Sequence, residues 1–461
     1  MHDKTPGMLK AEADIWDEFG SNTWISSDPS SQAILIAAKR ENRLDKMKPF
    51  HGFVLEQKTL ADSEFTQFID MLKETAAELA PGTRIELAIL THFIDPDYEW
   101  SADYAEGKTT CAHWTAIDLM VDEHGDVHSF VLDAANSYGH ARMHDTLKAT
   151  FPEGKHYVYK VETLGTDDKK RVSPIQTQTV GCRVFTVEHL KQLSQIDTET
   201  LYGKELPQIS EPNGVVKASR FKDNLKLSRI FRGMQTWTGL NALPKGVKET
   251  VVKEKTGETL LQYAERNSET KGGFRPIKTN ETISRKNIKY INKKREYYNG
   301  LSQENQERII EDRQGFIFLH YPQLFRLSDM LANIDTSDGK ENLFGVIEHF
   351  SESIEKKLVE TDGITTQEDV RHCLQELALI SREKSPGSIK NAILLAVSGL
   401  YRKLEHSPNP FDVIVLSSVI ENAYKSATGS NPATVFRLLL KEAFGSGSDS
   451  DNSDEHTPGT Y

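Results

Sequence analysis

Cysteine is scarce in this chain: its 461 residues include three, Cys111, Cys182 and Cys373. So few thiols exclude a disulfide framework and fit a reducing compartment, where any thiol that matters acts as a free one. Long apolar runs are lacking as well. A membrane-spanning helix needs about 18 or more apolar residues in succession, and the stretch near Ala392–Leu400 is far shorter. The N-terminus opens Met1-His2-Asp3-Lys4 and carries charges where a secretory leader needs an apolar segment, so Sec export is not expected. Zinc-finger spacing and the aromatic signature of RNA-binding sheets are missing, and the net charge is −12, so nucleic acid is excluded as the expected partner.

What is present is globular. Hydrophobic residues make up 37% and charged residues 27%; at roughly 150 residues per domain the length accommodates about two to four folding units. Residues 1–65 read as an N-terminal extension, with Ser31–Lys39 and the strand-like Phe50–Leu55 as its best ordered candidates. Residues 66–212 read as an α/β catalytic domain, opening with a helix whose apolar face is Phe65, Phe68, Ile69 and Leu72 and continuing into a strand at Ile85–Phe93. Residues 213–300 read as a basic regulatory or connector region. Residues 301–445 read as a helical domain: Leu343, Val346, Ile347, Phe350, Ile354 and Leu358 form one apolar face, and Thr365 with Glu368 makes a capping box. The last segment, 446–461, is rich in Ser, Gly and Asp and is expected to be a disordered acidic tail.

The charge is unevenly spread. Lys217–Arg295 contains 20 Lys/Arg against 7 Asp/Glu, a balance of +13, which leaves −25 on the rest of the chain. A solvated face is the ordinary explanation of such a run. The alternatives are a surface for an anionic, phosphate-rich ligand or for a membrane headgroup layer, with nucleic acid the weakest of the three.

Two β-prone runs, His113–Val121 and Val127–Leu132, flank the polar Asp122–Asp126 and predict a hairpin. With the turn centred near Glu123, His113 faces Asp133 across it, so an acid and an imidazole become neighbours. Such an acid fixes the histidine tautomer and stabilises the imidazolium formed when the ring acts as a base. Further on, Cys182 precedes Val184, Val187, Leu190 and Leu193, a periodicity that places the cysteine at a helix start, where unpaired N–H groups and the helix dipole favour a thiolate. Arg183 pushes the same way, and Gln176 or Gln178 just upstream offers a side-chain amide to a developing oxyanion. Singly, each residue has an ordinary structural explanation. Their order and the hairpin spacing join His113, Asp133, Cys182 and Gln176 into a Cys–His–Asp acyl-transfer site. Cys111, beside a strand start, is the weaker nucleophile candidate. His124 and His128 lack further ligands nearby, so no metal is expected, and Gly107-Lys108-Thr109 fails as a phosphate loop because residue 102 is Ala102.

These residues resemble the clan of cysteine enzymes with a His–Asp/Glu–Cys order, which contains ubiquitin-like protein peptidases, bacterial deubiquitinases and the YopJ-type effector acetyltransferases. His113-Trp114 and Asp133 are similar to the peptidase branch; Ala116-Ile117-Asp118-Leu119 and Leu132-Asp133-Ala134-Ala135-Asn136 are similar to the YopJ branch. One departure is that Gly181 precedes the cysteine and Arg183 follows it, where both branches usually place Gly after the nucleophile. The resemblance covers roughly 85–200 and implies an α+β fold, a papain-like core around a central β-sheet, followed here by the all-α C-terminal domain. It implies either acetyl transfer from acetyl-CoA to a Ser, Thr or Lys of a host protein, or hydrolysis at a ubiquitin-like C-terminus. For the YopJ branch it further implies inositol hexakisphosphate as activator, for which the basic 217–295 segment has the charge, and delivery into a host cell without a Sec signal; an ordinary cytoplasmic protein is the alternative. A non-catalytic scaffold is the reading from another class, supported by Arg183 and the size of the helical part.

Overall fold

The computed structural model describes residue 8 and residues 28–46, 48–57, 63–93, 111–135, 138–161, 175, 182–234, 237–266, 279–334 and 385–404. The predicted helix at 343–358, the capping box at Thr365, the acidic tail, Cys373, Gln176, Gln178 and Gly181 lie outside the described residues.

A six-stranded sheet in the order β1 to β6 organises the molecule: β1 (His51–Gln57), β2 (Arg84–Phe93), β3 (Cys111–Val121), β4 (Val127–Leu132), β5 (His156–Tyr159) and β6 (Val215–Val216). The β2–β3 and β3–β4 pairs are antiparallel, and β1–β2, β4–β5 and β5–β6 are parallel. Phe50–Leu55, expected in an extension outside the catalytic unit, lies in or borders the edge strand β1. Its outer side is closed by the 301–334 region, where Val54 N–H donates to the Arg313 carbonyl at 2.7 Å. Residues on both sides of 65 and of 300 share the same sheet and cores.

Both faces of the sheet are covered, which explains strands that read as nearly continuous apolar runs. Trp114, Ala116 and Met120 of β3 pack into one core with α1 (Pro29–Asp45), α4 (Cys182–Leu193) and the segment around Lys226–Gly233. Ile117, Leu119 and Val121 alternate into the other core, with α2 (Glu64–Thr75), α3 (Tyr138–Thr150) and the later helices α7 (Phe316–His320), α8 (Gln323–Asn333) and α9 (Pro386–Leu404). Two further helices, α5 (Thr279–Asn299) and α6 (Gln303–Glu311), join the first core through Tyr290, Tyr298, Ile309 and Ile310. The four apolar residues read from the α2 periodicity are its buried face, and Ser63 caps its first turn by accepting from Thr66 N–H at 3.1 Å. Asp28 does the same for α1, ahead of Pro29.

The hairpin between β3 and β4 forms, but its register differs from the expected one. Ala116 opposes Leu132 and Val121 opposes Val127, so the turn centres on His124 and an extended ladder would put His113 against Ala135. Asp122 sets that centre, since its Oδ1 accepts from both His124 and Asp126 N–H at 2.9 Å. Gly125 completes the loop at φ +81°, a conformation that suits glycine.

Candidate active site

The sheet end where β4 stops and α4 begins carries the candidate chemistry. Asp133 lies just past Leu132, outside the ladder, and is wholly buried; one of its oxygens, Oδ1, sits 2.9 Å from His113 Nε2 and accepts from Ala135 N–H at 2.8 Å. A two-residue error in register keeps the same strand face, and the backbone leaving β4 brings the carboxylate back to the imidazole. The Cys182 side chain lies close enough to act on the His113 charge. With Nε2 engaged by the carboxylate, Nδ1 is left to face the thiol, so Asp133, His113 and Cys182 form a line.

Electrostatics follow from that line. Burial penalises the His113 imidazolium, yet the Asp133 charge and hydrogen bond, with Cys182 on the other side, outweigh the penalty and raise the histidine well above its ordinary value. Cys182 opens α4 and is half-buried, the one free thiol among the described side chains. Helix α4 is held beside β3 by the Thr186 hydroxyl, which donates to the Trp114 carbonyl at 3.1 Å, one residue beyond His113. Arg183, expected to favour a thiolate, is buried. Thus His113, Asp133 and Cys182 are brought together.

A second polar assembly escaped the sequence reading. Arg84, Glu86 and Asp118 lie on the sheet face that α4 covers, Glu86 and Asp118 being cross-strand partners. Arg84 Nε donates to Asp118 Oδ1 at 2.7 Å and a second nitrogen to Oδ2, a bidentate pair. The Tyr202 hydroxyl donates to Asp118 Oδ1 at 2.9 Å. Burial, with Asp118 opposite, pushes the Glu86 carboxyl up. Three charged residues, Arg84, Glu86 and Asp118, in the otherwise apolar runs 84–90 and 116–121 are the available signal, because such residues are rarely buried without partners.

A third assembly is basic. Lys39 of α1, Lys191 of α4 and Lys289 and Lys293 of α5 act on one another, so that burial and the three neighbouring lysines push Lys39 down to about 7 despite the nearby Glu188. Lys293 is lowered by burial and by Lys46, Lys289 and Lys191. The Lys39 ammonium sits 4.2 Å from the centre of the Tyr290 ring. The basic segment 217–295 thus supplies only part of this cluster; α1 and α4 supply the rest. Among the described residues no group of three or more His, Cys, Asp or Glu could hold a metal, and no helix is long and apolar enough to cross a membrane.

No curated protein matches the sequence. Among solved structures, AvrA delL154 with IP6 and CoA has a TM-score of 0.40 at 13% identity, the match covering 64% of this chain and 99% of that one. HopZ1a in complex with IP6 has a TM-score of 0.37 at 10% identity over 63% of this chain and 93% of that one. Residues 69–298, which contain His113, Asp133 and Cys182, match the family model YopJ Serine/Threonine acetyltransferase, and it is to this family that this part of the chain belongs.

Proposed function

We propose that the protein is a YopJ-like effector acetyltransferase that carries an acetyl group from acetyl-CoA, through a thioester on Cys182, to a Ser, Thr or Lys side chain of a host protein. The observation that carries this reading is the line Asp133–His113–Cys182 at the start of α4, inside the segment that matches the acetyltransferase family. His113 takes the Cys182 proton, and Asp133 stabilises the resulting imidazolium. The sulfur attacks the acetyl carbonyl of acetyl-CoA, and the oxyanion is held by the Cys182 backbone N–H and, in this proposal, by the Gln176 side-chain amide. Collapse expels the CoA thiolate, which takes the proton from His113. The acceptor hydroxyl or amine then gives its proton to His113 and attacks the thioester, releasing Cys182.

The lysine cluster supports an anionic activator of the inositol hexakisphosphate type. Several phosphates would offset the like charges of these lysines, which outnumber the carboxylates Glu188 and Glu41 beside them, and bridging α1, α4 and α5 would fix the helix that bears the nucleophile. Delivery into a host cell belongs to the same proposal. The ubiquitin-peptidase reading needs an exposed apolar patch; among the described residues Val251 is the large apolar side chain left exposed.

The test combines the full chain, labelled acetyl-CoA, inositol hexakisphosphate and candidate host kinases, with a ubiquitin-based suicide probe in parallel. Label transfer that requires Cys182 supports the proposal; capture of the probe supports the peptidase; silence in both removes catalysis.

A further inference from the structure

Helix α4 and strand β3 run alongside each other and are joined at both ends. Cys182 to Leu193 spans about 17 Å of helix, and His113 to Asp118 spans about 17 Å of strand. At one end Cys182 meets His113. At the other, the Arg84 guanidinium that grips Asp118 also donates to the carbonyls of Leu193 at 3.2 Å and Ile196 at 2.9 Å, where α4 finishes. Arg43 of α1 donates to the intervening Ser194 carbonyl at 2.9 Å.

We infer that the Arg84–Asp118 pair is a positioning element for the transfer reaction, setting the axial position of α4 on β3 and with it the alignment of Cys182 and His113. The inference rests on the catalytic reading above. Stabilisation alone does not account for so many polar groups here, because a buried ion pair contributes little net stability compared with apolar residues of the same shape. What the pair does is tie the strand that carries the base to the end of the helix that carries the nucleophile. Burial works against the Arg84 charge, but Asp118 together with Tyr202 and Glu86 holds the guanidinium firmly protonated. A guanidinium can fork to a carboxylate and still reach two carbonyls; a lysine ammonium in the same place cannot. Released from this tie, α4 is free to slip, and a displacement of about 1 Å at a reacting group is enough to cost up to about 100-fold in rate.

The experiment uses the full chain with Arg84→Lys and, as a milder change, Arg43→Met, which removes the contact to Ser194 and a charge near Glu86 but leaves the Arg84–Asp118 pair. For each, kcat and the KM for acetyl-CoA are measured beside the rate at which iodoacetamide alkylates Cys182, and circular dichroism gives the folded fraction. In Arg84→Lys, kcat and alkylation are expected to fall by about 10- to 100-fold while KM stays within about twofold, and Arg43→Met to move in the same direction by less. A folded Arg84→Lys protein with kcat and alkylation within about twofold of the parent, or losses that only track the unfolded fraction, would overturn the inference. If Arg84→Lys does not fold, Arg43→Met decides by the same criteria. His113→Ala separates the two levels: alkylation that His113→Ala slows and Arg84→Lys does not refutes the positioning role alone, whereas alkylation indifferent to His113→Ala refutes the catalytic pairing beneath it.

Discussion

Replacing Asp133 by asparagine probes the acid without disturbing its shape. A single oxygen of Asp133 serves both His113 and the Ala135 N–H, at 2.9 and 2.8 Å. An asparagine that keeps its oxygen there retains both of these contacts, the histidine tautomer and the backbone turn, and loses the charge. A buried charge-assisted hydrogen bond is worth about 1.5–3 kcal/mol, so kcat should drop by about 10- to 150-fold, with the KM for acetyl-CoA little changed. A stability signature accompanies the kinetic one. His113 is raised in the folded state, so its share of stability is fully present below its unfolded value near 6.5 and is lost as pH rises through the elevated folded value. The melting-temperature gap between parent and Asp133→Asn should therefore be widest at acidic pH and close on going alkaline. Labelled acetyl transfer and pH-dependent thermal unfolding measure the two effects. A folded Asp133→Asn protein with kcat within about twofold of the parent would refute the assignment of Asp133 as the charge that supports the base.

Polyanion binding should be linked to proton uptake. Lys39, pushed down to about 7 by burial and by its lysine neighbours, recharges beside phosphate, so its contribution to affinity is level below pH 7 and weakens by up to about tenfold per unit above it. Calorimetry of inositol hexakisphosphate in buffers of different ionisation enthalpy reads the uptake, and Lys39→Arg should abolish that share; equal uptake in the variant counts against the cluster. In the β3–β4 hairpin, Gly125→Ala places a methyl group at φ +81° and about 3.1 Å from Ala77 Cα, so urea unfolding should show a loss of at least about 1 kcal/mol. An unchanged midpoint would contradict the turn geometry.

The sequence made the local parts of this architecture readable and left the long-range ones hidden. Phe65, Phe68, Ile69 and Leu72 reveal a helix because their spacing is set by the helix itself. The hairpin register differs by two residues from the one the spacing predicts, yet His113 and Asp133 still meet, because period-2 alternation makes an even shift harmless to the face. Other relations depend on chain segments far apart in sequence. Nothing local in Arg84 says that it meets Asp118, Leu193 and Ile196, although a charge inside an apolar strand demands some partner. Lys39 joins Lys289 and Lys293 only because α1 packs against α5, where Lys294 donates to Ser31 at 2.8 Å. Edge strand β1 was recognisable as a strand; its place in the catalytic sheet was not, since a parallel pair with β2 leaves no turn signal to read.

The central claim is that Cys182 carries the acetyl group. Intact-protein mass spectrometry of the full chain after acetyl-CoA and inositol hexakisphosphate, followed by peptide mapping, tests this directly. The account predicts one hydroxylamine-labile acetyl group on Cys182 that disappears on adding an acceptor protein and never forms in Cys182→Ala. Acetyl transfer that persists in Cys182→Ala, or an active enzyme whose Cys182 is never acetylated, would contradict it.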